Sequence, residues 1–308
     1  MYARIGTRII NIVLSLLLSG ISLAGEYSVP GSGDDLIGQN YTITIAPRDN
    51  LTKIRQQHDV SYDELLEANP QIDFYKLKVG QKVIIPKQFI LPKFRKGIVI
   101  NIPELRLYYF APDGKHIHTY PVGLGREGWR TPLAATKVVN KTEDPVWRVP
   151  NSIRQYVYEK TGEVLPDEVH PGPKNPLGKY ALYLNKQGYL IHGTNVPTSV
   201  GTFISSGCMR LLREPIETLY EEVPIGTPVH IIHYPYKAGW HNNKLYLESH
   251  QPINSYAAQP VSQLNKLNVE SVIHDAVHLR PTRISWNTVS KNVNKHLGIP
   301  EQIGYVLD

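Results

Sequence analysis

Two short stretches hold the side chains best suited to chemistry. Cys208, the only cysteine in 308 residues, lies in Ser205-Ser206-Gly207-Cys208-Met209-Arg210, and His192 lies in Ile191-His192-Gly193-Thr194-Asn195. A thiolate is a potent nucleophile, and an imidazole can take its proton and later deliver one to a leaving group. The small residues before Cys208 predict a tight turn that exposes the thiol. The consecutive backbone amides of Gly207 and Cys208 are candidates for holding an oxyanion. Arg210 would either steady negative charge on a substrate or pair with a buried carboxylate, the commoner fate of such an arginine. Spacing alone also fits an inert buried thiol and a satisfied core histidine. The Gly-flanked contexts and the lack of any other cysteine favour the reactive pair.

These residues need a scaffold that brings a strand end to a turn. His192 closes a β-type run, so it should stand at a strand end beside a loop. Candidate strands are Gly97–Ile102, Arg106–Tyr109, Ile117–Pro121, Thr136–Val139, Tyr180–Leu184, Tyr189–Ile191 and Pro228–Ile232, separated by Gly and Pro signals. One helix should follow Pro215, with Ile216, Leu219, Tyr220 and Val223 at helical spacing. Residues 96–235 thus read as one mainly antiparallel β domain. Upstream, residues 41–87 read as a β-α-α-β unit. It has an alternating strand from Tyr41, a helix capped by Asn50, a capping box at Ser61-Tyr62-Asp63-Glu64 and a strand Lys82–Ile85 closed by Pro86. Ile54, Leu65 and Ile84 are its expected core. Residues 25–40 are Gly-, Ser- and Asp-rich and read as a linker. Residues 236–308 form a mixed extension with a helix expected near Val261–Val272 and no evident chemistry.

Composition narrows the function classes. Abundant Tyr, Pro and Gly suit a β-rich, turn-rich globular chain. One cysteine excludes an intrachain disulfide framework and a multi-cysteine zinc site. Arg4 and Arg8, the apolar run Ile9–Leu18 and Ser22-Leu23-Ala24 have the layout of a secretory leader over residues 1–24. The run is about half the roughly 20 residues needed to span a bilayer. Its removal would lower the net charge from +6 to +4, and no basic-aromatic tract points to nucleic acid. His116 and His118 alternate as on one solvent face of a strand, without the further ligands a metal would need.

Residues 97–235 resemble the L,D-transpeptidase (YkuD-type) catalytic domain, and the whole chain resembles the periplasmic, Gram-negative, LysM-bearing branch of that family. The matching segments are Gly97–Asn101, Glu104–Tyr109, Tyr120–Gly123, Gly172–Gly178 and the two active-site stretches. Asp49-Asn50-Leu51, Leu66–Pro70 and Val79–Pro86 carry the likeness to LysM, a small wall-polysaccharide-binding module. The resemblance implies Cys208 as nucleophile, His192 as general base and acid, and the Gly193 carbonyl as the group orienting the imidazole. Gly207, Ser206 and Arg210 would face the oxyanion or substrate, with no metal or organic cofactor. The implied donor is a peptidoglycan tetrapeptide stem that loses its terminal D-alanine. The implied acceptor is an amine, either on a second stem (a 3–3 cross-link) or on a lysine of an outer-membrane protein. Glycan strands would bind the LysM-like module, raising substrate concentration by tethering.

Two positions depart from the family pattern. Ser206 stands where many members carry histidine, and Ala134 where a turn glycine is frequent. Two other readings stay open at this level. A papain- or NlpC-like peptidase would draw its base from His230, His233, His241 or His250. A non-catalytic wall-binding protein would owe its loss of activity to Ser206.

Overall fold

The computed structural model describes residues 25–257 and 263–307, so the leader read in residues 1–24 lies outside the described residues. The centre is a nine-stranded sheet. Its spatial order is Glu26–Ser28, His116–Pro121, Arg106–Phe110, Gly97–Asn101, Pro228–Ile232, Ala134–Glu143, Tyr180–Leu184, Leu190–His192 and Met209–Arg210. The architecture is mainly β, and most neighbours run antiparallel. Two pairings depart from that expectation. Gly97–Asn101 runs parallel to Pro228–Ile232, and Leu190–His192 runs parallel to Met209–Arg210. Parallel neighbours require a long return connection, and for the second pair that connection is residues 193–208.

Both faces of the sheet are covered, which explains runs without polar alternation. Ile98, Ile100, Leu107, Tyr109, Val229 and Ile231 enter one core, where Ile216, Leu219 and Val223 also pack. Val99, Tyr108, Phe110 and Ile232 enter the other, with Ile37 and Phe89.

The N-terminal unit holds helices α1 (Leu51–His58) and α2 (Tyr62–Ala68) against the paired strands Tyr41–Thr44 and Lys82–Ile85. Asn50 Oδ1 accepts the Lys53 N–H at 3.0 Å, and the Ser61/Glu64 capping box closes in both directions. Ile45, Ile54, Leu65, Phe74, Val83 and Ile85 form the core. Ile84 is only half-buried, because Val83 and Ile85 take the inward positions of the alternation. Its backbone is instead clasped by the Asn69 amide, with Ile84 N–H to Oδ1 and Nδ2 to Ile84 O both at 2.8 Å.

Residues 25–40 are not a free linker. Glu26–Ser28 forms the edge strand of the large sheet, and Leu36–Gly38 pairs with Gln88–Ile90. Leu36 and Ile37 are buried, and the Asp35 carboxylate accepts from Arg95 and the Trp240 N–H, each at 2.8 Å. Apolar burial and these bonds outweigh the loop-like composition.

Helix α3 (Asn151–Thr161) buries none of its residues, and α4 (Arg213–Glu222) starts two residues before Pro215, whose missing N–H costs nothing in a first turn. The C-terminal extension builds a four-stranded sheet from Tyr236–His241, Lys244–Ser249, Glu301–Val306 and Thr282–Ile284. Tyr256 of the short α5 (Asn254–Ala257) packs into the core of the large sheet, and α6 (Val269–Val277) and α7 (Trp286–Lys295) cover the small one. The helix expected near Val261–Val272 begins only at Val269, because Asn268 caps it by accepting the Ser271 N–H at 3.0 Å. The first two residues of that expected span lie outside the described residues.

Candidate active site

The pairing of Leu190–His192 with Met209–Arg210 builds the site. Their register sets Ile191 opposite Met209 and His192 opposite Arg210. Ile191 and Met209 are fully buried in the core, so His192 and Arg210 belong to the other face of the strand pair. Cys208 enters the short strand immediately before Met209. Gly207, before it, has φ of +110°, and a Cβ there would lie 3.1 Å from the Tyr189 ring. Only glycine takes that conformation without strain.

The turn is held from within. Ser205 Oγ accepts the Gly207 N–H at 3.1 Å and donates to the Cys208 carbonyl at 2.6 Å. The Gly207 amide is thereby engaged within the turn, which leaves the Cys208 N–H as the candidate oxyanion donor. Thr131 Oγ1 donates to the Gly207 carbonyl at 2.8 Å, and the Tyr256 hydroxyl donates to the Thr131 carbonyl. The C-terminal extension thus reaches the back of the cysteine turn.

His192 is 3% exposed, and its Nδ1 lies 2.6 Å from the Gly193 carbonyl. A carbonyl only accepts, so Nδ1 carries the proton and Nε2 keeps its lone pair. Burial, reinforced by the charge of Arg210, pushes the imidazole pKa down to about 4 against the opposing pull of the Gly193 and Leu177 carbonyls. Burial likewise pushes the Cys208 thiol up, with the Leu190 N–H and the Arg210 charge acting the other way. Cys208 Sγ donates to the Gly188 carbonyl at 3.6 Å. Both shifts favour the uncharged form, a neutral imidazole at His192 and a thiol at Cys208.

Arg210 has no carboxylate partner among the described residues, and its Nε is buried without a hydrogen bond. Burial lowers its pKa, and the main opposing influence is Cys208. The expected structural ion pair is absent among the described residues, and the charge of Arg210 is felt by the thiol. The Ser206 hydroxyl accepts from Arg126 Nη1 at 3.2 Å. The Arg126 guanidinium lies over Tyr156 of α3 and Trp129, at 4.8 and 5.3 Å from the ring centroids. Sequence reasoning missed Arg126, Trp129, Tyr156 and Tyr189. The signal for the first two was the cation–aromatic run Arg126-Glu127-Gly128-Trp129.

The other histidines are engaged elsewhere. His230 stacks on Phe94 with centroids 4.0 Å apart, and His233 binds Asn265 and the Ile253 N–H. His241 meets Asp34, and His250 sits between Glu67 and Glu248. His118 is buried rather than facing solvent, with Nε2 3.2 Å from Glu222, and His116 meets Asp113. Glu104, Glu248 and His250 could present three ligand atoms to a metal, but Lys237 Nζ lies 2.8 Å from both carboxylates and already pairs with each.

Comparison with known proteins identifies the family. The family described as the L,D-transpeptidase catalytic domain (YkuD) matches residues 95–231, and the LysM domain matches residues 43–86. The Escherichia coli K12 protein described as probable L,D-transpeptidase ErfK/SrfK is 36% identical over 305 residues, covering 96% of this chain and 97% of its own. The Salmonella typhimurium protein of the same description is 38% identical, covering 79% and 80%. Probable L,D-transpeptidase YbiS of Escherichia coli K12 is 40% identical, covering 77% and 78%.

Proposed function

Since the chain belongs to the L,D-transpeptidase family, we propose that Cys208 is its nucleophile and His192 the base that unmasks it. The activity class, cysteine-based acyl transfer on peptidoglycan stem peptides, follows from that membership, and the LysM domain adds affinity for the wall. The observation that carries the residue roles is the parallel strand pairing that sets His192 opposite Arg210, two residues from Cys208, with His192 Nδ1 tied to Gly193.

On this reading, Sγ attacks the carbonyl of the third residue of a tetrapeptide stem while its proton passes to His192 Nε2. The oxyanion forms beside the Cys208 N–H and the unpaired Arg210 charge, where a preorganised donor is worth about 3 kcal/mol. Collapse breaks the amide, and the imidazolium returns the proton to the departing D-alanine amine. A thioester remains and conserves the energy of the bond without ATP. An amine then attacks it, giving its proton to His192, and the thiol is regenerated. The amine belongs to a second stem or to a protein lysine. Ser206 positions Arg126 at the rim and has no acid–base task, so the absence of histidine there leaves the chemistry intact.

The LysM domain and the ErfK-type relatives mark a cell-wall-associated, exported protein, and we place it in the periplasm after removal of residues 1–24. No helix among the described residues is long and apolar enough to cross a membrane.

The test supplies a tetrapeptide donor with either a second stem or a lysine peptide. Free D-alanine and an amide-linked product with one of them are expected. Tripeptide as the sole product would make the protein a hydrolase, and release from the His192→Ala variant at the wild-type rate would remove histidine from the mechanism.

A further inference from the structure

The loop that links the two catalytic residues is gripped by the LysM-like module. From His192 the chain runs through Thr194 and the single turn Pro197–Ser199 to Val200, Gly201 and the strand Phe203–Ser205 before reaching Cys208. Arg55, on α1, donates through Nη2 to the Val200 carbonyl. Gly201 has φ of +69°, and a Cβ there would come within 2.5 Å of Ser61 Cβ, so module and loop are in backbone-close contact. The next residues on the path are packed as tightly. A Cβ on Gly123 would lie 2.4 Å from the Ser199 carbonyl oxygen, and Gly123 exchanges backbone bonds of 2.8 and 2.9 Å with Arg210. Contact is thus continuous from Arg55 through Val200, Ser199 and Gly123 to Arg210, beside Cys208.

The module is also fixed to the rest of the molecule at two further points. Glu64 of α2 meets Arg106 of the large sheet through Oε1 and Oε2 at 2.5 and 2.8 Å, both side chains being buried. Glu67 meets His250 at 2.8 Å. A flexibly tethered wall anchor would need none of these bonds.

We propose that the LysM-like module is a working part of the catalytic unit, with Arg55 a positioning residue that sets the 193–204 loop and through it Arg210 and the Cys208 turn. This deepens the proposed function, on whose assignment of Cys208, His192 and Arg210 it rests. Tethering raises the local concentration of glycan-borne substrate and leaves free peptides unaffected. Positioning acts on every donor, because displacement by about 1 Å can cost on the order of a hundredfold in rate.

The experiment measures acylation of the full-length protein by a free tetrapeptide lacking glycan, followed by intact mass. Arg55→Met keeps the buried stem and removes the donors, so the variant should fold. We expect kcat to fall about tenfold with KM little changed, and Arg55→Lys to recover part of the loss. Glu67→Gln, which weakens docking away from the loop, should keep the wild-type rate. Wild-type kcat in Arg55→Met on the free peptide would overturn the proposal, as would a fall confined to glycan-bearing donors or an equal fall in Glu67→Gln. Should Arg55→Met not unfold cooperatively, hydrogen exchange at residues 199–207 of Arg55→Lys replaces it, and wild-type protection there would equally overturn the proposal. Failure of the underlying assignment would read differently, as acylation that survives Cys208→Ala.

Discussion

Burial favours the uncharged forms of both His192 and Cys208, so the proposed attack moves a proton as the bond forms. That has a signature in pH. kcat/KM reports ionisations of the free enzyme, and a base with its pKa at about 4 stays competent well below the ordinary histidine value of 6.5. We expect the acid limb of the acylation profile near pH 4; a limb at 6.5 would mean that the imidazole is solvated and unburdened by Arg210. Among the described residues Arg210 makes no ion pair to lose. Arg210→Gln should therefore cost roughly a hundredfold in kcat/KM while leaving the melting temperature nearly unchanged. A large drop in melting temperature would reassign the arginine to structure.

Helix α2 illustrates how one element serves two units. Glu64 caps its own helix through the Ser61 N–H at 2.6 Å and neutralises Arg106, which is fully buried in the large sheet. Removing one member of a buried pair strands the other, at about 3–5 kcal/mol. Glu64→Ala should lose stability on that scale in urea unfolding, and a loss below about 1 kcal/mol would mean that the pair is solvated. The capping box was legible because its signal is local, and the strands of the large sheet were legible as short apolar runs between turn residues. Helix α3 was not, since it buries no residue and generates no apolar period. The strand Tyr236–His241 was hidden for another reason. It buries Lys237, whose partners Glu104 and Glu248 lie far along the chain. The choice between the two roles open to Arg210 was not legible, because a missing partner leaves no mark on sequence. The cysteine and histidine motifs and their order were readable from residues alone.

At the scale of the whole molecule, LysM-like module, catalytic sheet and C-terminal extension meet in one ionic cluster. His250 bridges Glu67 of the module and Glu248 of the extension, and Lys237 joins Glu248 to Glu104 of the sheet. Burial works against the imidazolium, but the two carboxylates outweigh it and hold its pKa up at about 10. The folded value lies above the unfolded one of about 6.5, so this stabilisation is complete below pH 6.5 and is lost as pH rises towards 10. Stability of the wild type should fall across that window, and His250→Gln should be less stable at neutral pH with a flatter alkaline slope. An unchanged slope would show that the cluster does not couple the three units.

The account rests above all on acyl transfer through Cys208. Its most direct test is intact-mass analysis of the protein lacking residues 1–24 after brief exposure to a tetrapeptide stem, with peptide mapping. The prediction is a tripeptide-sized gain on Cys208, matched by released D-alanine and absent from Cys208→Ala. A folded wild-type protein that gains no mass and releases no D-alanine, or an adduct that maps elsewhere, would contradict it.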